Sequence, residues 1–225
     1  MNAGTKHTCS LGRSIRELTR VSDRVDLDRL ARLLAARTAN EVVMADIARD
    51  LGVDQRTTGR FLALLDTLYL HHTVPAWSRN LTAKAAQRPK LHMVDSGLAA
   101  HLLGVNSDNL ARPLATHSGP LLETFVAGEI ARQLTWSDVD ARLHHFRDRS
   151  GIEVDLVLEH ADGRIVAVEV KAASAVTGDD LKALRLLRAR LGDDFVCGVV
   201  LHCGQRVDTF GDRLVALPVA TLWAA

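Results

Sequence analysis

The residues best placed for chemistry lie in segment 151–173, GIEVDLVLEHADGRIVAVEVKAA. Its even-numbered positions from 152 to 158 and from 166 to 170 are aliphatic. Alternation over two such runs predicts a β-hairpin with one apolar face, which we expect to be buried under helices. The odd-numbered positions, on the other face, carry carboxylates and a lysine: Glu153, Asp155, Glu159, Glu169 and Lys171.

The loop of this hairpin decides whether the carboxylates meet. Residues 161–163 (Ala-Asp-Gly) form a three-residue connection with glycine in the third, left-handed position, which indicates a type I turn with a G1 bulge. In that register Asp155 lies directly opposite Glu169, and Glu153 lies opposite Lys171. A two-residue loop would shift the register by one residue and separate the carboxylates onto opposite faces.

Two carboxylates that face each other across a hairpin repel. At about 5 Å, with an effective dielectric constant near 20, the repulsion is on the order of 3 kcal/mol. Mg²⁺ or Mn²⁺ would offset it, because these ions favour oxygen ligands. Two other interpretations stay open: Lys171 neutralises the pair, or water solvates an ordinary hairpin. Glu123, expected in the first turn of the preceding helix, could supply a third carboxylate to the same sheet.

The elements around the hairpin are predicted from their hydrophobic periods. A period of two or a continuous apolar run indicates a strand, and a period of 3.6 indicates a helix. From residue 119 onward the predicted order is therefore α-β-β-β-α-β, over residues 119–134, 141–147, 152–159, 164–171, 177–192 and 194–204.

The N-terminal part of the chain predicts a different arrangement. Residues 25–39 are typical of an amphipathic helix, and residues 44–74 indicate a helix, a tight turn, a second helix and an extended stretch. This is the order of a winged helix-turn-helix, whose second helix would present Gln55, Arg56 and Arg60 to DNA. A helical scaffold that only packs against a neighbouring domain would explain the same pattern.

Composition limits the possible partners. The chain has 225 residues, 28 Lys plus Arg and 27 Asp plus Glu, so any nucleic-acid surface must be local. One such stretch is 79–90, where Arg79, Lys84, Arg88 and Lys90 occur without an acidic residue; it predicts either phosphate contacts or a solvated linker. No apolar window approaches a membrane span, and no signal peptide is recognisable, so we expect a cytoplasmic protein. No G-x-x-x-x-G-K-[ST] sequence occurs, so no ATP site of that type is expected.

The acidic residues and their order resemble a known superfamily. The chain resembles the PD-(D/E)xK nucleases, which have a restriction-endonuclease-like fold. The residues that carry the resemblance are Glu123 in LLETFV, Asp155 in GIEVDLVL, and Glu169 and Lys171 in VEVK. The resemblance implies that Asp155 and Glu169 hold Mg²⁺ or Mn²⁺ and that Glu123 is an outer or second-metal ligand. Lys171 would orient or activate the water that attacks a phosphodiester. Glu153 departs from the minimal motif and would pair with Lys171.

A wider series of segments suggests the domain organisation. Over roughly residues 14–223, the chain is similar to the C-terminal half of a prokaryotic AAA+ ATPase family. The segments that carry this likeness include SIRELTRV, ARDLGVDQRTTGRFLALLDTLYL, PKLHMVDSGLAAHLLG, GPLLETFVAGEI and VEVKAA. This likeness implies three parts: 1–40, a helical remnant of the missing ATPase half; 41–118, a winged helix-turn-helix with a connecting segment; and 119–225, a nuclease-like domain. DNA is the expected partner, and a separate ATPase chain is a second candidate.

Two functions are consistent with the sequence. One is a divalent-metal-dependent nuclease acting on nucleic acid phosphodiesters. The other is a catalytically inactive, nuclease-derived module that binds DNA or regulates through the winged helix.

Overall fold

The computed structural model describes residues 27–79, 88–110 and 116–224. Within them the chain has a mixed α/β fold with two β-sheets, one of three strands and one of six. The segment before residue 27 and the stretch 80–87, which contains Lys84, lie outside the described residues. No helix in the described part is long and apolar enough to cross a membrane.

The N-terminal region contains the smaller sheet and its helices. Its apolar core joins α1 to α2, α3 and α4 through side chains such as Leu34, Ile47, Leu65 and Leu102. The first turn of α3 is capped by Asp54, whose carboxylate accepts a hydrogen bond from the Thr57 amide at 2.9 Å. The elements are α1 (Leu27–Ala36), β1 (Asn40–Glu41), α2 (Met44–Leu51), α3 (Gln55–Thr67), β2 (His71–Val74), β3 (Lys90–Met93), α4 (Ser96–Leu102) and α5 (Ser107–Leu110).

Strand β3 is the central strand of this sheet. The strand order is β1-β3-β2 with antiparallel pairing throughout, and Lys90 lies opposite Glu41 on one side and Val74 on the other. All four residues of β3 are buried. The sheet therefore holds the first residue of β3 in a fixed position.

The C-terminal region contains the larger sheet, of order β4-β5-β6-β7-β9-β8. Strands β4, β5 and β6 are antiparallel, β6, β7 and β9 are parallel, and β8 returns antiparallel to β9. The elements are α6 (Ser118–Leu134), β4 (Ala141–Arg147), β5 (Glu153–His160), β6 (Ile165–Lys171), a 3₁₀ turn (Gly178–Leu181), α7 (Lys182–Leu191), β7 (Phe195–His202), β8 (Asp208–Thr209) and β9 (Leu214–Pro218). Six of them, α6, β4, β5, β6, α7 and β7, follow the expected order of helices and strands, and β8 and β9 are additions.

The predicted register of the β5–β6 hairpin is confirmed. Leu156 pairs with Val168 and Glu159 pairs with Ile165, which makes Asp155 and Glu169 the next opposed positions. The turn has the expected geometry, because Gly163 has a φ of 86° and its amide donates to the His160 carbonyl at 2.9 Å.

The even-numbered residues from Leu156 to Leu158 and from Val166 to Val170 form the expected aliphatic face against α6, but the opposite face is not uniformly charged. Helices cover both faces of the sheet: Leu156 and Val168 pack in a cluster with α6, whereas Val157 and Ala167 pack in another with α7. A strand that is covered by helices on both faces of its sheet needs apolar residues at both even- and odd-numbered positions.

A β-bulge in β5 interrupts the alternation near Asp155. His144 of β4 pairs with Val157 but Phe146 pairs with Val154, so β5 has one residue more than β4 in this interval. Val154 consequently packs in the cluster beneath α7, although Leu156 packs on the side of α6. Asp155 lies inside this irregularity, where a strand can redirect a side chain.

Candidate functional site

The centre of the candidate site is a buried ammonium group. Lys90 has a relative exposure of 1%. Its Nζ lies 2.8 Å from Glu123 Oε1, 2.5 Å from Glu153 Oε1 and 3.6 Å from Asp155 Oδ1. Burial by itself lowers the pKa of Lys90, but the surrounding carboxylates raise it by more, so Lys90 is charged. The N-terminal sheet thus places a fixed cation among the carboxylates of the C-terminal region.

A second feature is the carboxylate pair formed by Asp155 and Glu169. Asp155 Oδ2 accepts a hydrogen bond from the Val170 amide at 2.8 Å, which holds this carboxylate against β6. Glu169 is buried, with 6% exposure. Burial and the adjacent Asp155 carboxylate raise the pKa of Glu169, and the nearby Lys171 ammonium opposes that shift.

Lys171 is placed as the sequence predicts, beside Glu169. Its Nζ lies 3.6 Å from Glu169 Oε2, and 36% of its side chain is exposed. Both side chains line an open cleft of about 560 Å³. The cleft is also lined by Glu153 and Asp155, and by residues of the 3₁₀ turn and the start of α7. The Asp155–Glu169 pair can therefore be reached from solvent.

Glu123 is close to this pair but is engaged elsewhere. It lies in the second turn of α6 rather than the first, because the helix begins at Ser118. Burial and Asp155 raise the pKa of Glu123, and the Lys90 ammonium opposes this effect. Glu123 is thus the acceptor of a buried charged hydrogen bond at the inner end of the site.

Glu153 does not form the expected pair with Lys171. It contacts Lys90 and, at 3.5 Å, Arg147, which is the residue paired with it across β4 and β5. The bulge explains the difference, because Glu153 lies beyond it and no longer follows the alternation of the β5–β6 ladder. Lys171 is consequently not neutralised by Glu153.

The arrangement of Glu123, Asp155 and Glu169 determines how many of them can bind the same metal ion. In residues 27–79, 88–110 and 116–224, no group of three or more His, Cys, Asp or Glu side chains is arranged to hold a metal. Glu123, Asp155 and Glu169 therefore do not form a three-ligand set. Mg²⁺, however, commonly binds through one or two carboxylates and keeps several waters. Asp155 and Glu169 fit that smaller donor set, because they are adjacent, acidic and open to the cleft.

The three residues predicted to contact DNA lie on the outer surface of the N-terminal region. Gln55, Arg56 and Arg60 are all exposed on α3. The opposite side of the same helix packs into the core through Phe61 and Leu65. The structure thus brings the predicted DNA-contacting residues onto one helix, separate from the cleft.

The described basic residues of the stretch 79–90, which are Arg79, Arg88 and Lys90, have different surroundings. Arg79 is ion-paired with Asp194, and Arg88 is exposed. Lys90 is fully buried, and it is the residue of the site that the sequence analysis missed. Its position at the start of the short apolar run KLHMV was the available signal, because a lysine in a buried strand requires a carboxylate partner.

Comparisons with known proteins give family matches without an assigned activity. Residues 118–222 match the model of a domain of unknown function, DUF4143, and residues 9–109 match a second, DUF8612. An uncharacterized protein of Mycobacterium tuberculosis and one of Mycobacterium bovis are each 30% identical to the chain over 176 residues. The alignment covers 77% of this chain but 37% of each relative, so the chain spans little more than a third of their length. No solved structure gives a significant match. The chain therefore resembles two domain families in succession, and 176 of its residues align with part of two longer mycobacterial proteins.

Proposed function

We propose that this chain is a divalent-metal-dependent nuclease that hydrolyses nucleic acid phosphodiesters in the cleft at Asp155 and Glu169. The observation that carries the proposal is the pair of adjacent carboxylates that line an open cleft, with the Lys171 ammonium beside Glu169. Two acidic groups are held together there although repulsion and burial disfavour the ionised form of both, and strongly perturbed acidic groups in a cleft are typical of functional sites.

Each residue of the cleft has a separate role in this proposal. Asp155 and Glu169 would hold Mg²⁺ or Mn²⁺, which supplies a polarised phosphate and a bound water of lowered pKa. The Val170 amide fixes the direction of the Asp155 carboxylate. Lys171 is partly exposed beside Glu169 and can donate to a water or a phosphate oxygen in the cleft.

The arrangement of elements supports the same proposal. A helix, three antiparallel strands, a second helix and a parallel strand follow one another, with Asp155 and Glu169 on neighbouring strands. This resembles the PD-(D/E)xK order implied by the sequence motifs. In the N-terminal region, two packed helices followed by two strands of a three-stranded sheet are consistent with a winged helix.

A cleavage assay tests the proposed activity. Plasmid, single-stranded DNA, duplex DNA and RNA are incubated with the chain in Mg²⁺ or Mn²⁺, and in EDTA as control. We expect metal-dependent cleavage that Lys171→Ala reduces at least tenfold. Lys182→Ala is the matched control, because Lys182 lines the same cleft but pairs with Asp179 at its rim. No cleavage of any substrate, or equal effects of the two lysine variants, would refute the assignment.

The alternative is a DNA-binding or regulatory module without catalysis. The exposure of Gln55, Arg56 and Arg60 on α3 favours it. Replacing both arginines by alanine should reduce DNA affinity and lower the slope of log K against log salt by about 2, because each phosphate contact releases about 0.9 counterion. Arg164→Ala, on the distant hairpin turn, is the control. An unchanged slope would exclude α3 as the DNA-binding helix.

A further inference from the structure

We propose that Lys90 acts as a permanent, protein-supplied cation buried beside the cleft, so that the site takes one divalent ion at Asp155 and Glu169 and Glu123 is not a metal ligand. This inference rests on the proposed metal-binding function. It makes Lys90 a positioning residue: it fixes Glu123 and Glu153 and determines the number of ions that the cleft can bind.

The geometry places the Lys90 ammonium where a second ion would have to bind. Its Nζ contacts Glu123 at 2.8 Å and Glu153 at 2.5 Å, and it is 3.6 Å from Asp155. An ion bridging Glu123 and Asp155 would therefore overlap the ammonium group. Lys90 cannot easily move away, because it lies in the central strand of the N-terminal sheet and is enclosed on all sides.

Charge balance leads to the same number of ions. Four carboxylates, Glu123, Glu153, Asp155 and Glu169, face two ammonium groups, Lys90 and Lys171. When all are ionised, two negative charges remain, and one divalent ion neutralises them.

Other charged groups near the cleft are already engaged. Arg147 lies between Glu153 and Glu41, and Asp179 pairs with Lys182. Asp180, at the rim, accepts hydrogen bonds from the backbone and hydroxyl of Thr177 in a capping box. These groups therefore do not change the balance at the inner end of the site.

A Mn²⁺ titration followed by electron paramagnetic resonance counts the bound ions directly and does not depend on cleavage. The full chain should bind one tight Mn²⁺ that Asp155→Asn removes, and it should show no spin-coupled Mn²⁺ pair. Lys90→Met should bind one more, because methionine matches the lysine stem but leaves the ammonium position vacant. Lys182→Met, the same substitution at an exposed lysine, should still bind one.

Two further variants keep the test valid if Lys90→Met folds poorly. Glu123→Gln should retain one Mn²⁺ with an affinity within about threefold of the wild type. The double variant Lys90→Met/Glu123→Gln, which removes one charge of each sign, should also bind one.

The outcomes separate the inference from the function on which it rests. No Mn²⁺ in the wild-type cleft would refute both the metal site and the role of Lys90. Two ions in the wild type, no additional ion in a folded Lys90→Met, or a loss of affinity above tenfold in Glu123→Gln would overturn the role of Lys90 alone.

Discussion

Removing the buried ammonium of Lys90 should destabilise the metal-free chain substantially. Its Nζ contacts two carboxylates within 2.8 Å, and its side chain has 2% exposure. Breaking a buried ion pair by removing one partner costs about 3–5 kcal/mol, because the remaining charge stays buried. Glu123 and Glu153 keep 13% and 31% exposure, so solvent screens part of this penalty. We therefore expect a loss of about 3 kcal/mol for Lys90→Met at pH 7.

Urea denaturation and thermal melting in EDTA measure this loss. For a chain of this length, about 3 kcal/mol corresponds to a fall in Tm of roughly 6–12 °C. Lys182→Met is the control, because Lys182 has 73% exposure and a surface pair contributes little; its change should stay within about 0.5 kcal/mol. Adding Glu123→Gln to Lys90→Met should recover part of the loss, since it removes a buried acidic group that has lost its ammonium partner. Equal stabilities of the Lys90→Met and Lys182→Met variants would show that the buried cluster contributes no net stability.

Three further predictions concern the hairpin and its carboxylates. Mn²⁺ at 100 times its Kd should stabilise the wild type by about 2.7 kcal/mol, and Asp155→Asn should abolish this gain in a melting assay; an equal gain in the variant would place the ion elsewhere. The raised pKa of Glu169, about 9 against an ordinary 4.5, means that the folded state binds this proton more tightly than the unfolded state. Stability of the metal-free protein should therefore fall as pH rises from about 5 to about 9, and Glu169→Gln should reduce this dependence in urea titrations across that range, with the remainder due to Glu123, whose pKa is also raised; the same slope in the variant would contradict the assignment. Gly163→Ala should lose about 1 kcal/mol, because Gly163 has a φ of 86°, whereas Gly59→Ala, within α3, should gain about 0.5–1 kcal/mol in the same urea assay. Changes of the same sign at both positions would disagree with this conformational argument.

Features encoded locally were predictable from the sequence. The hairpin register follows from a three-residue loop that ends in glycine, because turn geometry fixes which residues face each other. The order of elements from residue 118 to residue 202 follows from the change between hydrophobic periods of 2 and 3.6. The turn and the hydrophobic periods are therefore enough to predict that Asp155 and Glu169 are neighbours.

The neighbours of that pair were decided by tertiary structure. Lys90 and Glu123 are 33 residues apart, and Lys90 and Glu153 are 63 apart, so no local pattern relates them. The β5 bulge depends on how β4 pairs with β5, and it turns Glu153 away from Lys171 and toward Lys90. Burial of the hairpin on both faces depends on where α6 and α7 pack. Periodicity and turn chemistry describe interactions between residues close in sequence, whereas the burial of an ammonium group depends on surfaces that meet only when the two regions of the chain pack together.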